Sequence, residues 1–191
     1  MTIFPRITSR LILRPFVDRD LAEFAVYRNH PDVARYQSWS TYDMNDASTF
    51  FAQQKDLVFG SDETWFQIAI ERRDKGVLIG DVGVHFFDEG RQAELGMTFD
   101  PAHQRQGYAQ EAVADVIRLL FTELGRHRLV ATVDVRNVPA IQLLERQGFS
   151  REGHYRKNIW FKGEWGDEYG YALLNENWQA KHAKAGVALD E

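Results

Sequence analysis

The periodicities of this chain predict an α+β fold, with α/β units late in the chain, built around one mixed β-sheet. Short runs of alternating apolar residues recur through the first hundred positions, with turn residues between them. Beyond position 100, strand-like runs alternate with helical ones, the pattern that lays helices across a mixed sheet. The segment holding Ala109, Ala112, Val113, Val116, Ile117, Leu120, Phe121 and Leu124 keeps an apolar stripe at i, i+3, i+4, i+7 spacing throughout. Element counting gives about six to seven strands flanked by about four helices. The 191 residues suit one domain, 1–191, with a core over 8–178 and a polar tail over 179–191 expected to fray.

In order, 11–16 reads as a first strand, and Asp18 opens a helix with Leu21, Phe24, Ala25 and Arg28 on one face. After His30-Pro31 comes an irregular stretch carrying Tyr36, Trp39 and Tyr42. A second helix starts near Asp43 or Asn45 and runs to about Phe59, turning Ala47, Phe50, Phe51 and Leu57 inward. Strands follow at 65–71 and 77–87, joined by a charged turn ending in Gly76, and then at 92–99. The striped helix ends at Gly125. Residues 128–135 alternate as a strand, 139–147 form a helix stopped by Gly148, and strands at 150–157 and 168–174 close the sheet.

Composition removes several function classes. Hydrophobic residues make up 44% and charged residues 27%, a soluble globular balance. A formal net charge of -5 argues against nucleic acid as a partner and suits a cationic amine. With no cysteine there is neither a disulfide nor a thiol nucleophile. No apolar run reaches membrane-spanning length, so the expected location is cytoplasmic, with no membrane partner. The six histidines lack HExxH or paired spacing, so no metal is expected, and Gly-x-Ser-x-Gly is absent. Trp160, Phe161 and Trp165, without a basic strip, suit a hairpin or a homodimer surface better than base stacking.

Between the 92–99 strand and the striped helix lies Gln104-Arg105-Gln106-Gly107-Tyr108-Ala109. A helix N-terminus offers backbone N–H groups without intrahelical partners and the positive end of the macrodipole. Gly107 has no Cβ, so an anion can approach the backbone there. Arg105 adds charge and the Gln104 side chain adds donors. The turn is therefore a candidate pyrophosphate cradle for a nucleotide-like cofactor. A core-packed helix that merely starts at a glycine explains the same residues. Neither the three spaced glycines of a dinucleotide fold nor the Gly-Lys-Ser/Thr of a P-loop is present.

Residues 97–109, Met-Thr-Phe-Asp-Pro-Ala-His-Gln-Arg-Gln-Gly-Tyr-Ala, resemble the acyl-CoA signature of the GNAT N-acetyltransferases: Arg or Gln, two residues, Gly, one residue, Gly or Ala. The segment from Arg136-Asn137 to Gly148-Phe149 is similar to a second family segment of Asn, helix and Gly-Phe. Leu13-Arg14-Pro15 with Asp20-Leu21, and Trp165-Gly166-Asp167, resemble the branch that acetylates ribosomal-protein N-termini. The likeness spans roughly residues 8 to 178 and implies a GNAT fold with a splayed strand pair that binds acyl-CoA.

The resemblance implies acetyl-CoA as cosubstrate and direct attack by a primary amine in a ternary complex. A protein N-terminal α-amine comes first as acceptor, and a polyamine or aminoglycoside second. A CoA-binding sensor without turnover is the alternative of another class. Met97, Thr98 and Phe99 would offer backbone groups to the pantetheine, with the Met97 N–H near the oxyanion. Backbone N–H groups from Arg105, Gln106, Gly107, Tyr108 and Ala109 would hold the pyrophosphate. Asn137 would either bond the cofactor or cap its own helix. Glu94 is the first candidate base, through one water, against a plain strand carboxylate; Asp134 and Asp167 rank lower. Tyr155 could supply a hydroxyl. Leu144 and Ala140 occupy the places where relatives carry a Tyr or Ser acid, which leaves the proton donor to the thiolate unassigned. Tyr36, Gln37 and Trp39 are expected in the acceptor pocket.

Overall fold

The computed structural model describes residues 3–187. Its elements run β1 (Arg6–Ile7), β2 (Leu11–Pro15), α1 (Leu21–Arg28), α2 (Pro31–Ala34), α3 (Met44–Gln54), β3 (Trp65–Arg72), β4 (Val77–Phe87) and β5 (Gln92–Phe99). They continue with α4 (Tyr108–Arg118), β6 (Arg128–Asp134), α5 (Val138–Gln147), β7 (Ser150–Phe161), β8 (Glu164–Leu174) and α6 (Asn175–Val187). The strands form one eight-stranded sheet in the order β1-β2-β3-β4-β5-β6-β8-β7. Every neighbouring pair is antiparallel except β5 and β6.

Strand alternation sorts the apolar residues into two layers. Ile68, Ile70, Val82, Val84, Leu95 and Leu129 meet Ala112, Val113 and Val116 of α4 and Leu120 of the turn that continues it. On the opposite face Ala69 and Leu78 meet Phe24 of α1 and Ala47 of α3. Arg6 donates to Asp115 Oδ2 at 2.6 Å, fastening β1 to α4. Arg14 donates to Asp20 at 2.7 Å and to Glu71 at 2.6 Å, so the Leu-Arg-Pro…Asp-Leu pattern is a buried clamp between β2, β3 and the turn before α1.

The feature that positions the site is the parallel pair. Only Gln92, Ala93 and Glu94 of β5 register with Arg128, Leu129 and Val130 of β6. Beyond those rungs β5 stays on β4 as far as Phe99, while β6 follows β8 as far as Asp134. The sheet therefore opens into a V. Gly80 permits this path: a Cβ there would lie 2.5 Å from the Thr98 carbonyl oxygen, closer than any side chain tolerates.

Several elements differ from expectation for identifiable reasons. The stretch after His30 begins with a short helix, because Pro31 takes its first position and His30 Nδ1 accepts from the Asp32 N–H at 3.2 Å. Helix α3 stops at Gln54, whose side chain turns to the backbone of Trp65 and Gln67. The striped helix becomes a π-helical turn over Leu119–Glu123, which keeps the consecutive Leu119, Leu120 and Phe121 buried. Strands β7 and β8 extend to a hairpin tip that carries Trp160, Phe161 and Trp165. Helix α6 runs Asn175–Val187, across the point where the polar tail was expected to begin, with Trp178 packed on Phe121.

Candidate active site

A cavity of about 460 Å³ occupies the V. Leu95, Gly96, Met97 and Thr98 of β5 line one side, and residues 131–134 of β6 the other. Helix α5 adds Asn137, Ala140 and Leu144. The far wall comes from Tyr36, Gln37 and Ser38, from Trp65 and Gln67, from Ile159, Phe161 and Glu168, and from Arg28. From Leu95 onward β5 has no strand partner on its β6 side, so an extended ligand can pair there as a substitute strand.

At the α4 end the turn has the form of an anion cradle. Arg105 has φ +58 and Gly107 φ +82, both left-handed, so the backbone curls around a concavity. Glu111 N to Gly107 O, at 3.0 Å, is the first helical bond of α4. The backbone N–H groups of Arg105 through Gln110 donate to no protein acceptor among the described residues. Arg10 folds over this turn. Its Nη1 donates to Gln106 O at 2.9 Å, its Nε to Glu111 Oε2 at 2.7 Å, and its Cζ sits 4.4 Å from the Tyr108 ring centroid. A Cβ at position 107 would lie 3.2 Å from Arg10 Nη2.

One sequence expectation changes here. The Gln104 side chain, given to the ligand, donates to Phe99 O at 2.9 Å and pins the turn to the end of β5. A substitution at Gly107 would meet backbone strain and Arg10 before it met any phosphate, so its effect would not report on the ligand alone. Arg10 itself escaped notice because it lies far from the motif in sequence.

The remaining expected residues separate. Asn137 caps α5, its Oδ1 accepting from the Ala140 N–H at 3.3 Å, and it also lines the cavity, with Nδ2 unengaged among the described residues. Tyr36 reaches the cavity and donates from its hydroxyl to Arg136 O at 3.2 Å, beside the start of α5. Trp39 does not reach the wall: its Nε1 donates to Arg28 O at 3.0 Å and its ring stacks over the Arg28 guanidinium. Glu94 is half-buried on the last paired rung, opposite His85 and Val130, at the closed point of the V rather than on the cavity wall. Arg136 holds the Asp134 carboxyl below its ordinary range, which makes it a weak base. The Lys157 N–H and His154 do the same for Asp167 within the hairpin. Tyr155 packs its ring against Gly153 and Gly170.

Sequence reasoning missed a buried network beneath the cavity. Asp81 is fully buried and accepts from Arg28 Nη2 at 2.9 Å, from the Tyr27 hydroxyl and from Gln67 Nε2. Burial opposes the Arg28 charge, but Asp81 outweighs it and raises the pKa above its ordinary value. Burial, reinforced by Asp81, pushes the Tyr27 hydroxyl well up, so it stays protonated.

A splayed strand pair leading to a ring of unpartnered amides at a helix start accommodates an extended carrier with a phosphorylated end. The family described as "Acetyltransferase (GNAT) domain" matches residues 10–150, and the chain belongs to that family of acetyl-CoA-dependent N-acetyltransferases. It is 32% identical over 90% of its length, and 97% of the relative's, to the uncharacterized N-acetyltransferase YnaD of Bacillus subtilis. It is 25% identical to the spermidine N(1)-acetyltransferase of Escherichia coli, covering 93% of this chain and 92% of that one. A GNAT-family acetyltransferase structure from Bacillus anthracis superposes with a TM-score of 0.79 at 28% identity, over 88% of this chain and 96% of that one. A Vibrio cholerae structure provisionally described as a ribosomal-protein-serine acetyltransferase gives 0.75 at 25% identity, over 88% and 95%. No helix among the described residues is long and apolar enough to cross a membrane.

Proposed function

We propose that the protein acetylates a protein N-terminal α-amine, and that acetyl-CoA lies along β5 with its pyrophosphate on the turn before α4. The observation that carries this reading is the run of unpartnered amides from Arg105 through Gln110. Arg105, Gln106, Gly107, Tyr108 and Ala109 hold the pyrophosphate through backbone N–H groups, and Arg10 adds a fixed cation. Met97, Thr98 and Phe99 present backbone groups to the pantetheine, and Asn137 donates from Nδ2. When bound, acetyl-CoA supplies the acetyl group as a thioester.

The Met97 N–H stabilises the oxyanion that forms during attack. Glu94 takes the amine proton through a water, from the closed end of the V. Leu144 and Ala140 leave the α5 wall apolar, so a cavity hydroxyl or water protonates the thiolate. Tyr36, hydrogen-bonded to Arg136 O just before α5, offers one such hydroxyl. A polyamine acceptor is the second reading, favoured by the Glu168 carboxylate on the cavity wall and by similarity to a spermidine acetyltransferase.

The test is release of CoA thiol from acetyl-CoA over a panel of peptide and polyamine acceptors. Release with short peptides supports the proposal, and release with polyamines alone supports the second reading. Tight CoA binding with no release above background for any amine refutes both.

A further inference from the structure

We infer that Arg28 is a specificity residue whose guanidinium recognises a carbonyl oxygen on the acceptor, so that the acceptor is an amine with a neighbouring carbonyl. The inference rests on the acetyl-transfer reading above and narrows its acceptor class to peptide-like amines over polyamines.

The Arg28 side chain is only 8% exposed, yet it forms part of the cavity wall. Its one protein acceptor among the described residues is Asp81, reached through Nη2. Asp81 already takes donors from Tyr27 and Gln67, so this corner holds more N–H and O–H groups than oxygens to receive them. Among the described residues Arg28 Nη1 has no acceptor, and Nε is sealed within the protein without one, a surplus that native interiors rarely carry.

The guanidinium is also held in place. Its Cζ lies 4.3 Å from the Phe24 ring centroid and 4.7 Å from that of Trp39, which is itself anchored to Arg28 O. An ion pair that served only to join α1 to β4 would not need a guanidinium with an unused Nη1 on a cavity wall. Asp81 neutralises the charge, so the surplus suits a neutral oxygen such as a carbonyl rather than a second anion. A polyamine at neutral pH carries ammonium donors and no acceptor, and would leave the Arg28 donors unmet. Glu168, whose one polar partner among the described residues is Asn158, receives the ammonium as the acceptor arrives. Together the two walls fit an α-amine beside a peptide carbonyl.

Calorimetry on CoA-loaded protein would compare alaninamide with sec-butylamine, which has the same shape without the carbonyl, and with 1,4-diaminobutane. Alaninamide is expected to bind at least about tenfold more tightly than either. Arg28→Lys keeps a cation for Asp81 but loses the planar donors, and should bring the alaninamide preference down towards one. The same variant should raise KM for alanyl-alanine amide about tenfold or more, and by a clearly larger factor than the KM for diaminobutane. Equal binding of alaninamide and sec-butylamine by the natural protein overturns the inference, even if Arg28→Lys does not fold. So does a preference for diaminobutane, or an unchanged preference in a folded Arg28→Lys protein. Absence of thiol release with every amine would refute acetyl transfer, while the binding comparison still decides the role of Arg28.

Discussion

Replacing Arg10 with Ala separates the ligand role of the α4 turn from its structural role. In the free protein the Arg10 side chain is 44% exposed and pairs with Glu111 at 2.7 Å. Such an exposed pair contributes roughly 0–1 kcal/mol, so the melting temperature should fall by no more than about 2–4 °C. Toward the cofactor the balance differs. A guanidinium already bonded to Gln106 O stands over amides that donate to no protein group among the described residues, where a phosphate would gain a charge-assisted hydrogen bond. Such a bond is worth about 1.5–3 kcal/mol, or roughly 10- to 150-fold in Kd. Calorimetric titration with CoA, beside a thermal melt, measures both quantities on one sample. Arg10→Lys should fall between, because it restores charge without the planar fork. A Kd within about twofold of the natural protein's, with the fold intact, would refute the placement of the pyrophosphate.

Two further outcomes follow from the site and its supports. Glu94→Gln should lower turnover chiefly at acidic to neutral pH, where most acceptor amine arrives protonated, and an unaltered pH–rate profile would remove Glu94 as the base. For Glu111, burial favours the neutral acid. Hydrogen bonds from the Thr8 hydroxyl at 2.6 Å, the Arg10 N–H at 2.8 Å and the Arg10 guanidinium outweigh it and set the pKa below the ordinary 4.5. Because the folded pKa is the lower one, the stabilisation is present above pH 4.5 and lost as pH falls through the folded value. Denaturant titrations of Glu111→Gln should therefore show a deficit at pH 7 that shrinks towards pH 3, and a pH-independent deficit would contradict this.

What the sequence revealed was local. The stripe on α4, the turn before it and the capping Asn137 each lie within one short segment, where spacing alone fixes which residues share a face. Arg14 was visible only as part of a likeness; the structure gives it a physical role between Asp20 and Glu71. The walls of the site were hidden because they form by long-range pairing. Arg10 meets residues about a hundred positions away, and Arg28 meets Asp81 across the face of the sheet. Nothing near Arg28 distinguishes it from an ordinary helix-face arginine. Trp39 misled for the opposite reason: an aromatic residue in a loop suggests a binding surface, yet this ring serves to hold Arg28. The contact of Trp178 with Phe121, which anchors the start of α6, was hidden for the same reason as the walls.

The most direct test of the account is a titration of the backbone amide resonances with CoA and, separately, with pantetheine, which lacks the pyrophosphate. Large shifts are expected for the amides of residues 105–110 with CoA and little change there with pantetheine, while residues 95–99 respond to both. Amides at 105–110 that stay unmoved as CoA saturates the protein would contradict the account.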